Sequence, residues 1–121
     1  MMRKTILFNS RDELLRISVE NIVYFEANGN YTNIVSCNKL KSTIGLSLSK
    51  TEQLLTEQLG DTAQSFMRVG KRFIVNLNYV FSINLSRQCL LLSDQCTFTF
   101  QLPVSKEALR QMKTLFVGSS K

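Results

Sequence analysis

Phe25-Glu26-Ala27-Asn28-Gly29-Asn30-Tyr31-Thr32-Asn33-Ile34-Val35 sets a polar knot between two β-rich runs, and its reading decides the fold class. Asn28-Gly29 tolerates positive φ at both central positions of a type I′ turn, and Ile22-Val23-Tyr24-Phe25 ahead of it consists of strand-forming residues. Beyond it, Tyr31, Asn33 and Val35 alternate with Thr32, Ile34 and Ser36 at the two-residue period of a strand. The stretch predicts a β-hairpin with an exposed polar tip. Such a tip is either a plain chain reversal or a rigidly supported binding loop, because both have this composition.

The flanking sequence extends the β pattern on both sides. Residues 5–8 and 13–18 read as strands joined by Asn9-Ser10-Arg11-Asp12, and Asn38-Lys39 leads from the hairpin, ending at Cys37, into a strand over 40–44. The period then changes. Leu48, Leu54, Leu55 and Leu59 fall at helical spacings, with Ser49 and Glu52 as a capping box and Gly60 as the stop. In residues 66–80 a compact Gly70-Lys71-Arg72 sits between apolar runs, as a basic turn or a basic bulge. Strands follow over 80–85, 88–92 and 97–102, the last ended by Pro103. Ser105 then caps a helix with Leu109, Met112, Leu115 and Phe116 as its apolar face, and residues 118–121 read as a frayed end. The fold expected is mostly β, with one short helix after the N-terminal meander and one at the C-terminus.

Composition removes several function classes. At 121 residues and 13.8 kDa the chain has the size of one domain, residues 1–121, and no apolar run is long enough to cross a bilayer. Arg11 interrupts the N-terminal apolar stretch before a secretory core can form, so the expected location is cytoplasmic. Histidine is absent, which removes imidazole from any triad, acid/base pair or zinc site. The acidic residues are scattered and the glycines isolated, with no phosphate-cradling loop. The reading is a non-enzyme with no cofactor, no metal and no small-molecule substrate. Cys37, Cys89 and Cys96 lack a Cys-x-x-Cys pair and read as buried reduced thiols.

Charge is distributed unevenly. Up to Ser65, basic and acidic residues balance; from Phe66 onward Arg68, Lys71, Arg72, Arg87, Lys106, Arg110, Lys113 and Lys121 face only Asp94 and Glu107 and carry the whole net charge of +6. If the halves segregate in space, one surface is basic. That surface is either a solvated face without a partner or an electrostatic footprint for a nucleic-acid backbone.

Residues 22–32, residues 66–80 and Leu102-Pro103-Val104-Ser105-Lys106, in this order, resemble the LytTR family of bacterial DNA-binding domains. The resemblance spans about residues 11–116, and Arg68-x-x-Lys71-Arg72-Phe73-Ile74-Val75-Asn76 is its most specific part. It implies elongated antiparallel sheets with short helices packed on them, and double-stranded DNA, at repeated sites or under a homodimer, as the partner. It implies a transcriptional regulator that reads DNA with loops and a helix start, either free-standing or cut from a longer protein with a receiver domain. The implied DNA contacts fall on Asn30, Tyr31 and Thr32, on Lys71 and Arg72, and on Ser105 and Lys106, with Arg110 as a further phosphate contact. Gly70 stands where many members carry histidine, and Ser105 where some carry arginine. Arg68 is open to a phosphate contact or an internal ion pair. Tyr31 either reaches out or packs its ring on the sheet, and Asn76 and Asn78 read as turn residues. The rival expectations are a module stacking single-stranded RNA bases and a basic protein-interaction domain.

Overall fold

The hairpin of residues 25–35 lies at the centre of a sheet. In the computed structural model, which describes residues 4–118, β1 (Thr5–Asn9) and β2 (Leu14–Ser18) form a two-stranded sheet. The strands β3 (Ile22–Asn28), β4 (Tyr31–Ser36) and β5 (Lys41–Ile44) follow as a meander, and α1 (Leu48–Leu59) leads on to β6 (Phe66–Val69) and β7 (Phe73–Asn76). Because β7 pairs with β3, the sheet takes the antiparallel order β5-β4-β3-β7-β6. A three-stranded sheet of β8 (Val80–Asn84), β9 (Cys89–Ser93) and β10 (Thr99–Pro103) comes next, and α2 (Lys106–Val117) closes the described chain. The mostly β class with antiparallel sheets and two helices is as expected.

Both faces of the five-stranded sheet are covered, which is why its inner strands are apolar on both sides. Phe25, Ile34, Ile44 and Ile74 share one core with Ile6 and Phe8 of β1 and with Leu48, Leu55 and Leu59 of α1. Tyr24, Val35, Phe73 and Val75 share the other with Leu90 and Leu92 of β9 and with Leu109 and Met112 of α2. Strict alternation would put Val23 and Tyr24 on opposite faces. The β3–β4 register shifts between Ile22 and Tyr24, and this bulge lets both residues join the same core. Tyr24 meets Phe73 and Phe100 edge-on, with ring centroids 6.0 and 5.6 Å apart. Its burial pushes the phenol pKa up, and the nearby Glu26 carboxylate acts in the same direction.

Several local expectations are corrected. Strand β3 runs to Asn28, which pairs with Tyr31, so the central residues of the turn are Gly29 and Asn30. Only Gly29 has positive φ, at 64°, the φ pattern of a type II′ turn with glycine first. The cap of α1 is Ser47, whose Oγ accepts from Lys50 N at 3.2 Å, while Ser49 lies within the helix. Starting the helix there puts Leu48 and Thr51 into the core. In α2, Leu109 and Met112 are buried, but Leu115 and Phe116 stay in solvent, 57% and 51% exposed. The cysteines are free, yet only half-buried at Cys37 and Cys89 and exposed at Cys96. Cys96 lies in the β9–β10 turn, where the Asp94 carboxylate accepts hydrogen bonds from the Thr97 hydroxyl and from the backbone N–H groups of Cys96, Thr97 and Phe98. These bonds, the hydroxyl's foremost, hold the Asp94 carboxyl well below the usual carboxylate range. Residues 119–121 of the expected frayed end lie outside the described residues.

Candidate nucleic-acid interface

Two tight connections sit side by side at one end of the five-stranded sheet. The first is the β3–β4 tip, Gly29-Asn30. The second is the three-residue turn Gly70-Lys71-Arg72 between Val69 and Phe73, which pair directly across β6 and β7. Pairing of Glu26 with Phe73 places this turn beside the far end of β3, where Ala27 N donates to Arg72 O at 2.8 Å. Gly70 takes φ +64°, a conformation that costs a residue with a Cβ.

The tip is supported from beneath. Tyr31 is 55% exposed, and its ring stands beside Gly45, where a Cβ would lie 3.9 Å from Cε1. Next to it, Thr32 points the other way. Its side chain is fully buried, Oγ1 donates to Leu46 O at 2.8 Å and accepts from Thr51 Oγ1 at 3.3 Å. Of the three residues expected at this loop, Asn30 and Tyr31 are therefore at the surface, and the Thr32 hydroxyl is spent inside. Asn33, also buried, accepts from the Thr43 hydroxyl at 2.8 Å.

The basic turn is held by ion pairs. Arg68 Nη1 lies 3.2 Å from Glu52 Oε1 of α1, and Arg68 Nη2 donates to Lys71 O at 3.4 Å, so one guanidinium ties the helix to the turn. Arg72 Nη2 meets Glu26 Oε2 at 2.8 Å, with its guanidinium 5.0 Å from the centroid of the Phe73 ring. Lys71, at the apex, is exposed and makes no ion pair among the described residues. The acidic partners come from the N-terminal half. The two halves interleave in the five-stranded sheet, where β7 lies beside β3, so that two cations of the C-terminal half, Arg68 and Arg72, meet carboxylates of the N-terminal half.

The third region starts α2. Ser105 Oγ accepts from Ala108 N at 3.2 Å, as its sequence position predicts, which leaves the N–H groups of Lys106 and Glu107 facing outward. Glu107 already places a carboxylate at the positive end of the helix dipole, so Lys106 is the attractive group for an anion here. Val104 N donates to Gln88 O at 3.0 Å and fixes the helix start to the β8–β9 turn. Arg110, exposed, lies one turn further on, beside Leu85. No hydrogen bond or ion pair among the described residues joins this region to the two loops; they are linked through the core shared by Val69, Phe73, Val104 and Leu109. Asn76 is buried in the turn role expected of it, donating to Ile22 O at 2.9 Å and accepting from Asn78 N at 3.0 Å.

A family model described as the LytTr DNA-binding domain matches residues 12–117. The chain belongs to the LytTR family. No curated protein matches it. Among solved structures, the LytTr DNA-binding domain of a Bacillus cereus response regulator matches with a TM-score of 0.65 at 24% identity, over 95% of this chain and 98% of that one. At that identity the likeness speaks for the fold alone. As a LytTR domain the protein is a DNA-binding unit of transcription regulation, in a family that is not catalytic. No helix among the described residues is long and apolar enough to cross a membrane.

Residue patterns did not point to Glu26, Glu52, Gly45 or Leu46 as parts of the site. Glu52 fitted a capping box, and Glu26 becomes a partner for Arg72 only once β3 pairs with β7. Nothing local in the sequence signals that pairing.

Proposed function

We propose that this LytTR domain binds double-stranded DNA sequence-specifically, with Asn30, Tyr31 and Lys71 at base edges and Lys71, Arg72, Lys106 and Arg110 on phosphates. The observation that carries the reading is the juxtaposition of an uncharged, rigid tip and a basic turn at one end of one sheet. Phosphate contacts place a protein on the duplex without distinguishing sequence, and contacts to base edges supply the discrimination. Among the described residues Lys71 has no carboxylate to leave. Arg72 has to share or release Glu26, and Arg68 is already engaged, so its part is to hold the Lys71 carbonyl and the turn. Ser105 contributes the backbone start of α2, its hydroxyl being spent on the cap. A second copy on a repeated site completes the arrangement.

Recognition of single-stranded RNA by stacking on a sheet face has less support, since both faces of the five-stranded sheet are filled by core side chains. The deciding experiment is selection of bound sequences from a random duplex pool. A consensus, with its repeat spacing, is the expected result; a pool that stays random through successive rounds would refute specificity.

A further inference from the structure

The outer edge of β2 is an unplugged strand edge. In an antiparallel pair every second residue turns its N–H and C=O toward the partner strand. Val19 N donates to Lys4 O and Ser10 N to Glu13 O, so in the β1–β2 register Leu15 and Ile17 bond inward while Leu14, Arg16 and Ser18 direct their backbone groups out of the sheet. The same alternation turns Leu7 of β1 outward. There the Gln58 amide of α1 closes both groups, accepting from Leu7 N at 2.9 Å and donating to Leu7 O at 2.8 Å. No described residue does this for β2. Native edges are normally blunted or covered, and the two edges of this hairpin differ in that respect.

The β2 edge opens on a groove of about 400 Å³ that is also lined by Leu40 and by Ser42 of β5, one of the two edge strands of the five-stranded sheet. Leu40 in its lining and Leu14 at the start of β2 are each 59% exposed. Arg16 lines it and is exposed, as are Lys39 and Lys41 next to the lining residues Asn38, Leu40 and Ser42, and none of the three makes an ion pair among the described residues; of the carboxylates near β2 in the chain, Asp12 and Glu13 precede it and Glu20 follows it.

We infer that this groove takes up an extended segment of a partner protein as an added strand along β2, with apolar and acidic residues alternating in the segment. One set of its side chains enters over the half-buried Leu15 and Ile17, which calls for apolar residues. The other set stands beside Arg16, which calls for carboxylates. A second copy of this chain fits less well, because centred antiparallel pairing of two β2 strands sets Arg16 directly against its own copy, like charge on like charge. The inference does not rest on the DNA reading.

Fluorescence polarisation on the full chain with a labelled peptide of about eight alternating glutamate and valine residues tests it. Saturable binding is expected, with none for a lysine–valine peptide or for the acidic peptide N-methylated at alternate residues. Ser18→Pro is the informative variant. Ser18 has φ −68°, the angle proline imposes, and its N–H lies outside the β1 ladder, so the fold is retained while a docking donor is lost. Both Ser18→Pro and Arg16→Glu should weaken the acidic peptide by about fivefold or more at unchanged melting temperature. Lys71→Ala should bind it as the unaltered chain does, which separates this groove from the DNA loops. Absence of saturable binding, equal binding of the N-methylated peptide, or unchanged affinity in both variants overturns the inference. So does a dimer in sedimentation that Ser18→Pro converts to monomer, because a second copy then holds the edge.

Discussion

The β3–β4 tip and the β6–β7 turn lie side by side and are held by different forces. The tip is uncharged and fixed by backbone pairing, from Asn28 opposite Tyr31 inward, with buried Thr32 and Asn33 anchoring its return strand. The turn carries two cations and is steadied by exposed ion pairs to Glu26 and Glu52. A rigid, neutral element loses little by meeting one base arrangement and much by meeting another, while a charged one attracts any phosphate. Specificity is therefore expected mainly from the tip, with Lys71 adding a base-edge contact, and most of the affinity from the turn.

The largest effect expected is that of removing both cations. In duplex titrations the log of affinity should fall against log salt with a slope of about −4 to −5 if five or so phosphates are contacted. Lys71→Ala combined with Arg72→Ala should make that slope shallower by about 2 and weaken specific and random duplexes alike by more than about tenfold at moderate salt, the specific one somewhat further through the lost Lys71 base-edge contact. Both positions are exposed, so stability should change by no more than about 1 kcal/mol, measured as melting temperature on the same preparations. A slope near zero for the unaltered chain would remove the nucleic-acid contact altogether.

Tyr31→Ala comes next and should act in the opposite sense. Its loss should cost about 1 to 3 kcal/mol on the selected sequence and far less on random DNA, narrowing the gap between them. Lys106→Ala, at the start of α2, should instead weaken both and flatten the salt dependence. Equal loss on both duplexes for Tyr31→Ala would make the tip scaffold and end the division of labour.

What the sequence reveals of these two loops follows the same division. Period-two patterning, a glycine at the turn and an adjacent basic pair are local signals, and they located the hairpin, α1 and the Gly70-Lys71-Arg72 turn. The register error at Asn28-Gly29 is of the kind local chemistry leaves open, since either pair of central residues contains the glycine. Partners across the sheet were invisible. Whether Thr32 faces in or out depends on the carbonyl of Leu46 and the hydroxyl of Thr51, and whether Arg68 is free depends on where α1 puts Glu52. Leu115 and Phe116 failed for a related reason: helical spacing defines a face but not how far along the helix a neighbour extends.

Arg68→Gln should give a smaller effect than either loop residue. The Arg68 side chain is 29% exposed and Glu52 48%, so after screening their pair is worth about 1 kcal/mol at most, and the melting temperature should drop slightly. If Arg68 acts through the Lys71 carbonyl, DNA affinity falls a few-fold with the salt slope nearly kept, since no phosphate contact is lost. A slope shallower by about 1 would instead place Arg68 on a phosphate.

The smallest effect, and the only gain, is expected from Glu26→Gln. In the free protein the Glu26 carboxylate holds Arg72 at 2.8 Å and competes with DNA for it. Glutamine keeps the length and an acceptor oxygen but removes the charge, so the guanidinium can turn to a phosphate without leaving a carboxylate behind. Because the Arg72 side chain is 59% exposed, the competing pair is weak, and affinity should rise by no more than about fivefold, equally on specific and random duplexes. Combining Glu26→Gln with Arg72→Ala separates the two explanations of such a gain. If the carboxylate acts by occupying Arg72, the gain disappears in the double variant; if it persists, Glu26 repels the duplex directly, and the turn's ion pair has no part in binding. A gain confined to the selected sequence would contradict the comparison itself, since it would make Arg72, placed on phosphates alone, a source of discrimination.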